Sequence, residues 1–124
     1  MVSHPILKPS FTRVDARGTF QEILNEGHWE SLLTGSLVPG AVIGDHYHLE
    51  TVVFFYVVRG AVTVKTIHVE TGARAHFTLK DAEGVLLVTH EAHALHIDHP
   101  TDFIMLKSKQ YDPAAPDTYP LMVE

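Results

Sequence analysis

From residue 36 onward the chain consists of short apolar segments rich in β-branched residues, with glycine or acidic turns between them. This spacing is typical of an antiparallel barrel or sandwich, in which each short strand ends at a tight turn. Apolar residues that repeat with a helical period are almost absent. We therefore predict an all-β fold built as a single antiparallel β-barrel.

The predicted strands share β-branched or aromatic side chains and are bounded by turn residues. They cover residues 36–37, 52–58, 61–69, 74–79, 85–89, 93–97 and 103–107. Gly60 is predicted to form a turn, and residues 70–72 (Glu-Thr-Gly) a hairpin. Residues 26–32 fit either a helical turn or the loop before the first barrel strand.

A chain of 124 residues can close one hydrophobic core but is too short for a separate cofactor domain. We expect one domain over residues 1–124, with N-terminal strands and a loop in 1–35, the barrel in 36–107 and an extended tail in 108–124. Three prolines after Tyr111 exclude the tail from a central strand. The tail is expected to wrap the outside of the barrel or the partner subunit, and no nucleotide cofactor is expected.

Composition argues against several classes of function. The net charge is −6 and no basic cluster occurs, so a nucleic-acid partner is not expected. The absence of cysteine removes disulfides, thiolate metal ligands and thiol nucleophiles. No apolar stretch approaches the roughly 18 residues of a membrane span, and the first residues lack the apolar core of a signal peptide. We therefore expect a cytoplasmic protein without a membrane partner.

Histidine is the outlier of the composition, with ten residues in 124. Alternate residues of an extended strand share one face, so His46, His48 and Glu50 would lie together if their segment is extended. Three ligand-type side chains on one face are the kind of cluster that binds a metal ion.

A later group of four histidines is expected to add one ligand, or at most two, and it consists of His90, His93, His96 and His99. His93 alternates with two aliphatic residues on one strand face, whereas His96 shares the other face with Asp98. The aliphatic face should point into the barrel, so we expect His93 to complete the cluster. His90 and His96 remain the alternatives.

The segment from Gly40 to His48 resembles the first half of the cupin signature, which is a glycine, five residues and His-x-His. Gly60 matches the glycine that closes this motif. The glutamate of the signature falls on Val53, which leaves the usual four-ligand set incomplete, and Glu50 is the nearest substitute. A weakened second signature, without its proline and glycine, runs from Gly84 to His93. The resemblance implies a cupin-type jelly roll.

Two other segments resemble the cupins that act on sugar nucleotides. Residues 11–22 are similar to the D-x-R-G-x-F-x-E segment of deoxysugar-nucleotide 3,5-epimerases, and His46-Tyr47 falls at their His-Tyr pair. Residues 110–119 resemble the end of the cupin domain in bifunctional capsular-polysaccharide epimerase-reductases. One feature departs from the epimerases, because Gly44-Asp45 stands where they carry Arg-Gly before the histidine.

This resemblance implies roles for several residues. Arg17, Phe20 and Glu22 would hold the nucleotide diphosphate, in their own subunit or in a neighbouring one, and Tyr47 would contact the substrate. His46 and His48 would be catalytic. The metal ligands would be His46, His48, His93 and Glu50. The resemblance also implies a homodimer that hides the apolar strand 52–58 in its interface.

We therefore predict an epimerase or ketoisomerase that acts on a keto-deoxysugar nucleotide through an enolate. Neutral imidazoles bind zinc, iron, nickel or manganese, and such an ion could polarise the ketone. A histidine can also move the proton without a metal. The alternatives are a metal-dependent cupin oxygenase, in which two histidines and Glu50 hold iron, a small cyclase, and a noncatalytic cupin that binds a small ligand.

Overall fold

The structure is a computed structural model that describes residues 4–124. Residues 1–3, which the predicted domain includes, lie outside the described residues. Residues 4–124 form nine β-strands and no helix. The strands are β1 (Phe11–Asp15), β2 (Gly18–Glu22), β3 (Ser31–Leu37), β4 (Val42–Tyr47), β5 (Val53–His68), β6 (Arg74–Leu79), β7 (Glu83–Leu87), β8 (Glu91–Lys107) and β9 (Tyr119–Pro120).

Two long strands, β5 and β8, pair with each other in antiparallel register and run through both layers of the barrel. In one layer, residues 53–57 of β5 lie between β7 and the second half of β8, and β3 follows on the far side of β8. In the other layer, residues 62–68 of β5 lie between β6 and the first half of β8, and β4 and β9 follow. The predicted all-β, antiparallel jelly roll is thereby confirmed.

The bend in β5 corrects the prediction of a turn at Gly60. The strand continues through Gly60, which has a φ of +133°, and its register with β8 shifts between Val57 and Val62. The extra residue of such a bulge moves the inward face from odd to even positions. Both halves of β5 can therefore face the same core. Residues 93–97 and 103–107, predicted as two strands, likewise belong to the single strand β8.

The core lies between the two layers and consists of the inward side chains of both. Its fully buried members are Val53, Phe55, Val57, Val62, Val64, Leu79, Val85, Leu87, Leu95 and Ile97. Each such side chain stabilises the fold by roughly 1.5–3 kcal/mol when it leaves water. Residues 53–57 are buried within their own chain, because β7 and β8 flank them on both sides. Only Val58 of the apolar strand that was expected at a dimer interface is exposed.

The first two strands form a hairpin that is separate from the barrel sheet. Every residue of β1 and β2 is exposed, including Phe11, Val14 and Phe20. A two-stranded hairpin alone is only marginally stable in water, because it has no apolar face to bury. In one copy of the chain, the apolar side chains of the hairpin are therefore exposed and do not pack against the core.

The structure shows which of the alternatives left open by the sequence the connecting segments and the tail adopt. Residues 26–32 contain no helical turn; residues 26–30 are a loop that leads into β3, which begins at Ser31 rather than at residue 36. The tail lies along β4 of its own chain, where β9 forms a short edge strand. An edge position accommodates Pro120, which lacks a backbone donor. Within residues 4–124, no helix has the length and apolar character that crossing a membrane requires.

Gly60 should be indispensable for the bend. A Cβ atom there would lie 2.7 Å from the Cα of Thr101 and 2.8 Å from the backbone oxygen of Pro100, neither of which can move freely. We expect Gly60→Ala to lower the free energy of unfolding by about 3 kcal/mol, through strain and overpacking. Gly72→Ala is the matched control, because Gly72 also has a positive φ but nothing lies within 4 Å. It should lose about 1 kcal/mol. Equal losses in urea titrations would contradict this account.

Candidate active site

Three imidazole rings converge inside the barrel, near the end of β4. His46 and His48 come from β4 and the residue after it, and His93 comes from β8. One ligand nitrogen from each ring lies within 4.8 Å of the others, and the ring centroids are 4.8–5.6 Å apart. The structure therefore brings these three residues together, on the face that strand alternation indicates for His93.

Local backbone geometry allows β4 to approach His93 closely. The register of β4 with β8 shifts between Gly44 and His46, and Gly44 has a φ of +107°. A Cβ atom on Gly44 would lie 2.5 Å from the backbone oxygen of His93. Only glycine fits at this crossing, and the bulge that follows directs His46 into the barrel.

The histidines border a cavity of about 250 Å³ between the two layers. Its other walls are mainly apolar, and they consist of Leu33, Ile43, Val53, Phe55, Leu95, Phe103 and Met105. A volume of this size holds a small ring such as a sugar, and apolar walls strengthen electrostatic interactions inside.

Lys107 also lines this cavity, and sequence reasoning missed it. It is the last residue of β8 and the cross-strand partner of Val53, where the cupin signature carries glutamate. A lysine at a strand end is usually a surface residue. The alternation of β8 could have identified Lys107, because it shares one strand face with Phe103 and Met105, which pack against the core.

The environment favours the neutral form of His46 and His93. Burial lowers the pKa of His93 from 6.5 to about 3, and the charges of His46 and His48 add to this effect. The pKa of His46 is also lowered, first by burial and then by the charges of His48 and Lys107. Neutral imidazole is the form that accepts a proton or ligates a metal ion.

His48 is held by the C-terminal tail. Its side chain is buried, and its Nδ1 donates a hydrogen bond to the backbone oxygen of Asp117. The carboxylate of Asp117 binds the turn after His48, which spans residues 49–51. Asp117 was not among the predicted site residues, although the tail that contains it resembles a segment of the sugar-nucleotide cupins.

Glu50, predicted as a metal ligand, does not join the histidines. Because β4 ends at Tyr47, the chain turns before Glu50 and the strand alternation no longer applies. The Glu50 side chain is 68% exposed, and its Oε1 lies 3.4 Å from the Nζ of Lys109. Within the part of the chain that the structure describes, no carboxylate belongs to the histidine cluster.

Tyr47 also differs from its predicted role in substrate binding. It lies between His46 and His48 in sequence and therefore faces away from the cavity, whose lining does not include it. Its ring stacks on that of Tyr119, with 5.4 Å between the centroids. The structure thus places Tyr47 in the packing between β4 and the tail.

The predicted diphosphate ligands lie on the separate hairpin. The guanidinium of Arg17 lies 5.0 Å from the ring centroid of Phe20 and 2.7 Å from an oxygen of Asp15. Glu22 accepts a hydrogen bond from the hydroxyl of Ser10. None of these residues lines the histidine cavity of the same chain. One copy of the chain therefore does not bring them to the histidines.

The histidines that were left open as alternatives lie elsewhere. His90 occupies the turn before β8 with a φ of +62°, and His96 lies on the opposite face of β8 from His93. Neither belongs to the cluster. As a donor set, the imidazoles of His46, His48 and His93 fit a divalent ion that keeps an open position toward the cavity.

A two-layered antiparallel barrel with a histidine cluster in its interior defines a cupin. More narrowly, the chain belongs to the polysaccharide biosynthesis C-terminal domain family, whose model matches residues 13–119. Comparison with curated protein sequences gave no match.

Solved structures show the same fold. The capsular polysaccharide assembling protein CapF from Staphylococcus aureus is 26% identical with a TM-score of 0.71, and the match covers 98% of this chain and 35% of CapF. NovW, a 4-keto-6-deoxy sugar epimerase of Streptomyces spheroides, is 22% identical with a TM-score of 0.71, over 88% of this chain and 65% of NovW. A double mutant of the QdtA 3,4-ketoisomerase from Thermoanaerobacterium thermosaccharolyticum, in complex with TDP, is 16% identical with a TM-score of 0.74, over 95% and 87%. The chain therefore spans about a third of CapF.

The low pKa of His93 predicts a loss of stability in acid. Below pH 6.5 the unfolded chain binds a proton at His93, whereas the folded chain does not until about pH 3. The free energy of unfolding should therefore fall as the pH drops through this window. We expect His93→Gln to reduce the loss between about pH 7 and about pH 4.5 by on the order of 2 kcal/mol. His28→Gln, whose wild-type side chain is 82% exposed, should keep the wild-type dependence. Urea titrations that show the same pH dependence in all three proteins would refute this.

Proposed function

We propose that the chain catalyses proton transfer next to the ketone of a keto-deoxysugar nucleotide, as an epimerase or a ketoisomerase. The observation that carries the proposal is the group of His46, His48, His93 and Lys107 around a small, mainly apolar cavity. NovW and QdtA, which share the fold, are named as an epimerase and a ketoisomerase of such sugars. CapF, which is much longer, assembles capsular polysaccharide.

The proposed chemistry begins with removal of a proton from the carbon beside the ketone. His46 is the proposed base, because its lowered pKa keeps it unprotonated near pH 7. The resulting enolate is an anion, and the ammonium group of Lys107 would stabilise it in the apolar cavity. Delivery of a proton to the opposite face of the same carbon gives epimerisation. In ketoisomerisation the former ketone carbon is protonated instead, while the hydroxyl on the neighbouring carbon gives up its proton to become the new ketone and the former ketone oxygen gains a proton.

A divalent metal ion is part of the proposal as an aid to this chemistry. His46, His48 and His93 would hold zinc, iron, nickel or manganese, and such an ion would polarise the ketone. Glu50 is not proposed as a ligand, because its side chain lies away from the cluster. Among residues 4–124 its position also leaves no two-histidine, one-carboxylate set, so the described site does not favour the oxygenase.

We further propose that the chain functions as a homodimer in which each hairpin reaches the cavity of the partner. The exposed Phe11, Val14 and Phe20 need an apolar surface that their own barrel does not supply. Arg17 on the same hairpin would then bring its positive charge to the diphosphate of the nucleotide bound by the partner. Leu32 and Val58, which are exposed on the barrel, add apolar surface for such a contact.

The proposed activity predicts exchange of solvent deuterium into a 4-keto-6-deoxysugar nucleotide, which mass spectrometry detects. We expect His46→Asn to lower the exchange rate by roughly 100-fold or more, because a positioned base contributes that much. His28→Asn is the control, since the side chain of His28 is 82% exposed and does not belong to the cluster. The absence of exchange with every nucleotide sugar of a panel would overturn the proposed function. Ligand-induced thermal stabilisation without exchange would instead indicate the noncatalytic binder.

The same assay addresses the metal ion. Elemental analysis before and after dialysis against a chelator shows whether an ion is bound, and exchange is measured on both samples. Activity that falls with metal content and returns when the ion is restored supports metal assistance. If the metal-free protein keeps full activity, a group of the chain itself, and not a metal ion, acts on the ketone oxygen.

The proposed dimer predicts complementation between two inactive variants. His46→Asn removes the base, and Arg17→Ala removes the proposed diphosphate contact. In a heterodimer of the two, one cavity has an intact His46 together with an intact Arg17 from the partner. Random pairing should therefore restore about a quarter of wild-type activity, from one good site in half of the dimers. Activity that equals the average of the separate variants would show that each hairpin does not serve the partner.

A further inference from the structure

The carboxylate of Asp117 lies at the centre of a set of hydrogen bonds from the turn after β4. It accepts the backbone N–H of Leu49 at 2.9 Å, those of Glu50 and Thr51 at 2.8 Å, and the Thr51 hydroxyl at 2.9 Å. Partial burial acts to raise the pKa of Asp117, but these hydrogen bonds outweigh it and lower the pKa. An ionised carboxylate can only accept hydrogen bonds, and that of Asp117 accepts four. Ionised Asp117 therefore holds this turn in one conformation.

The same residue contacts His48 through its backbone. The oxygen of Asp117 is the acceptor for Nδ1 of the buried His48 ring. A carbonyl oxygen can only accept, so Nδ1 must carry the proton. In the neutral ring the other nitrogen, Nε2, is then unprotonated.

The rest of the tail keeps Asp117 in this place. The ring of Tyr119 stacks on Tyr47, and the backbone N–H of Leu121 donates to the oxygen of Asp45 at 2.9 Å. These contacts follow β4 on the side away from the cavity. Two sets of contacts therefore fix the position of the Asp117 carbonyl that binds His48. One set joins Asp117 to the turn at residues 49–51, and the other joins the following tail residues to β4.

We propose that Asp117 is a positioning residue that keeps His48 in the Nδ1–H tautomer, with Nε2 as the free nitrogen of the histidine cluster. In this tautomer Nε2 can accept a proton from the substrate or ligate a metal ion. In the opposite tautomer Nε2 would carry the proton, so it could neither accept a proton from the substrate nor ligate a metal ion. The catalytic consequence rests on the proposed function, whereas the tautomer itself does not.

The tautomer is directly measurable by long-range ¹H–¹⁵N NMR of the histidine rings, with His48 assigned from the spectrum of His48→Asn. We expect the wild-type spectrum to show the proton of His48 on Nδ1. In Asp117→Ala the backbone oxygen remains but is no longer fixed, so the Nε2–H form should appear. With keto-sugar exchange as the assay, kcat should fall roughly 10- to 100-fold, as for other residues that orient a ligand histidine, while KM changes by less than about threefold.

Asp112→Ala is the matched control. Asp112 lies in the same tail, and its carboxylate accepts a hydrogen bond from the backbone of Ala114 at 2.9 Å. This variant should keep both the wild-type tautomer and the wild-type kcat. If Asp117→Ala does not fold, Thr51→Val removes one donor to the carboxylate and should produce a smaller shift in the same direction.

Two results would overturn the proposal. One is a wild-type His48 that carries its proton on Nε2, and the other is an Asp117→Ala protein that keeps the wild-type tautomer. These results are separable from a failure of the proposed function. If no nucleotide sugar undergoes exchange, the NMR spectra of the wild type and of Asp117→Ala still decide whether Asp117 sets the tautomer.

Discussion

The antiparallel pairing of β5 with β8 holds both layers of the barrel together, because each long strand passes from one layer into the other. The bulge around Gly60 makes this passage compatible with a single core, since it moves the inward face from odd to even residues. The strands β3, β4, β6 and β7 each pair with one half of β5 or β8, and β9 pairs with β4. The position of His93 depends on it, because the second half of β5 and β4 flank that part of β8.

The chemistry of the site depends on which polar groups the paired strands β5 and β8, and the strands attached to them, place around the cavity. Burial disfavours the charged form of His93 and His46, so these two rings are neutral nitrogen bases. Lys107 adds a positive charge at the position opposite Val53, where the cupin signature has a negative one. A cavity with neutral bases and a cation is suited to a reaction that forms an anion. The tail then adds a constraint from outside the barrel, because its carbonyl determines which nitrogen of His48 is free.

Particular residues show how far sequence reasoning reaches. His93 was correctly favoured over His96, because the period of two in a strand and the neighbouring aliphatic residues indicate the inward face. The same rule misplaced Glu50, because it holds only while the backbone stays extended and β4 ends at Tyr47. Gly60 was assigned to a turn, since glycine marks turns and bulges alike in a sequence. Lys107 and Asp117 were missed because their roles depend on partners 54 and 69 positions away, Val53 and His48.

The sequence by itself determined the class of fold and the type of chemistry. Apolar segments of strand length can bury their side chains only as a sheet. The His-x-His motif and the D-x-R-G segment can be recognised in the amino-acid sequence alone. Tertiary structure decided which of these residues meet. It joined His46, His48 and His93, excluded Glu50 and Tyr47, and left Arg17 on an exposed hairpin. The physical reason is that bulges, turns and long-range pairing set the direction of each side chain, and these depend on contacts between distant segments.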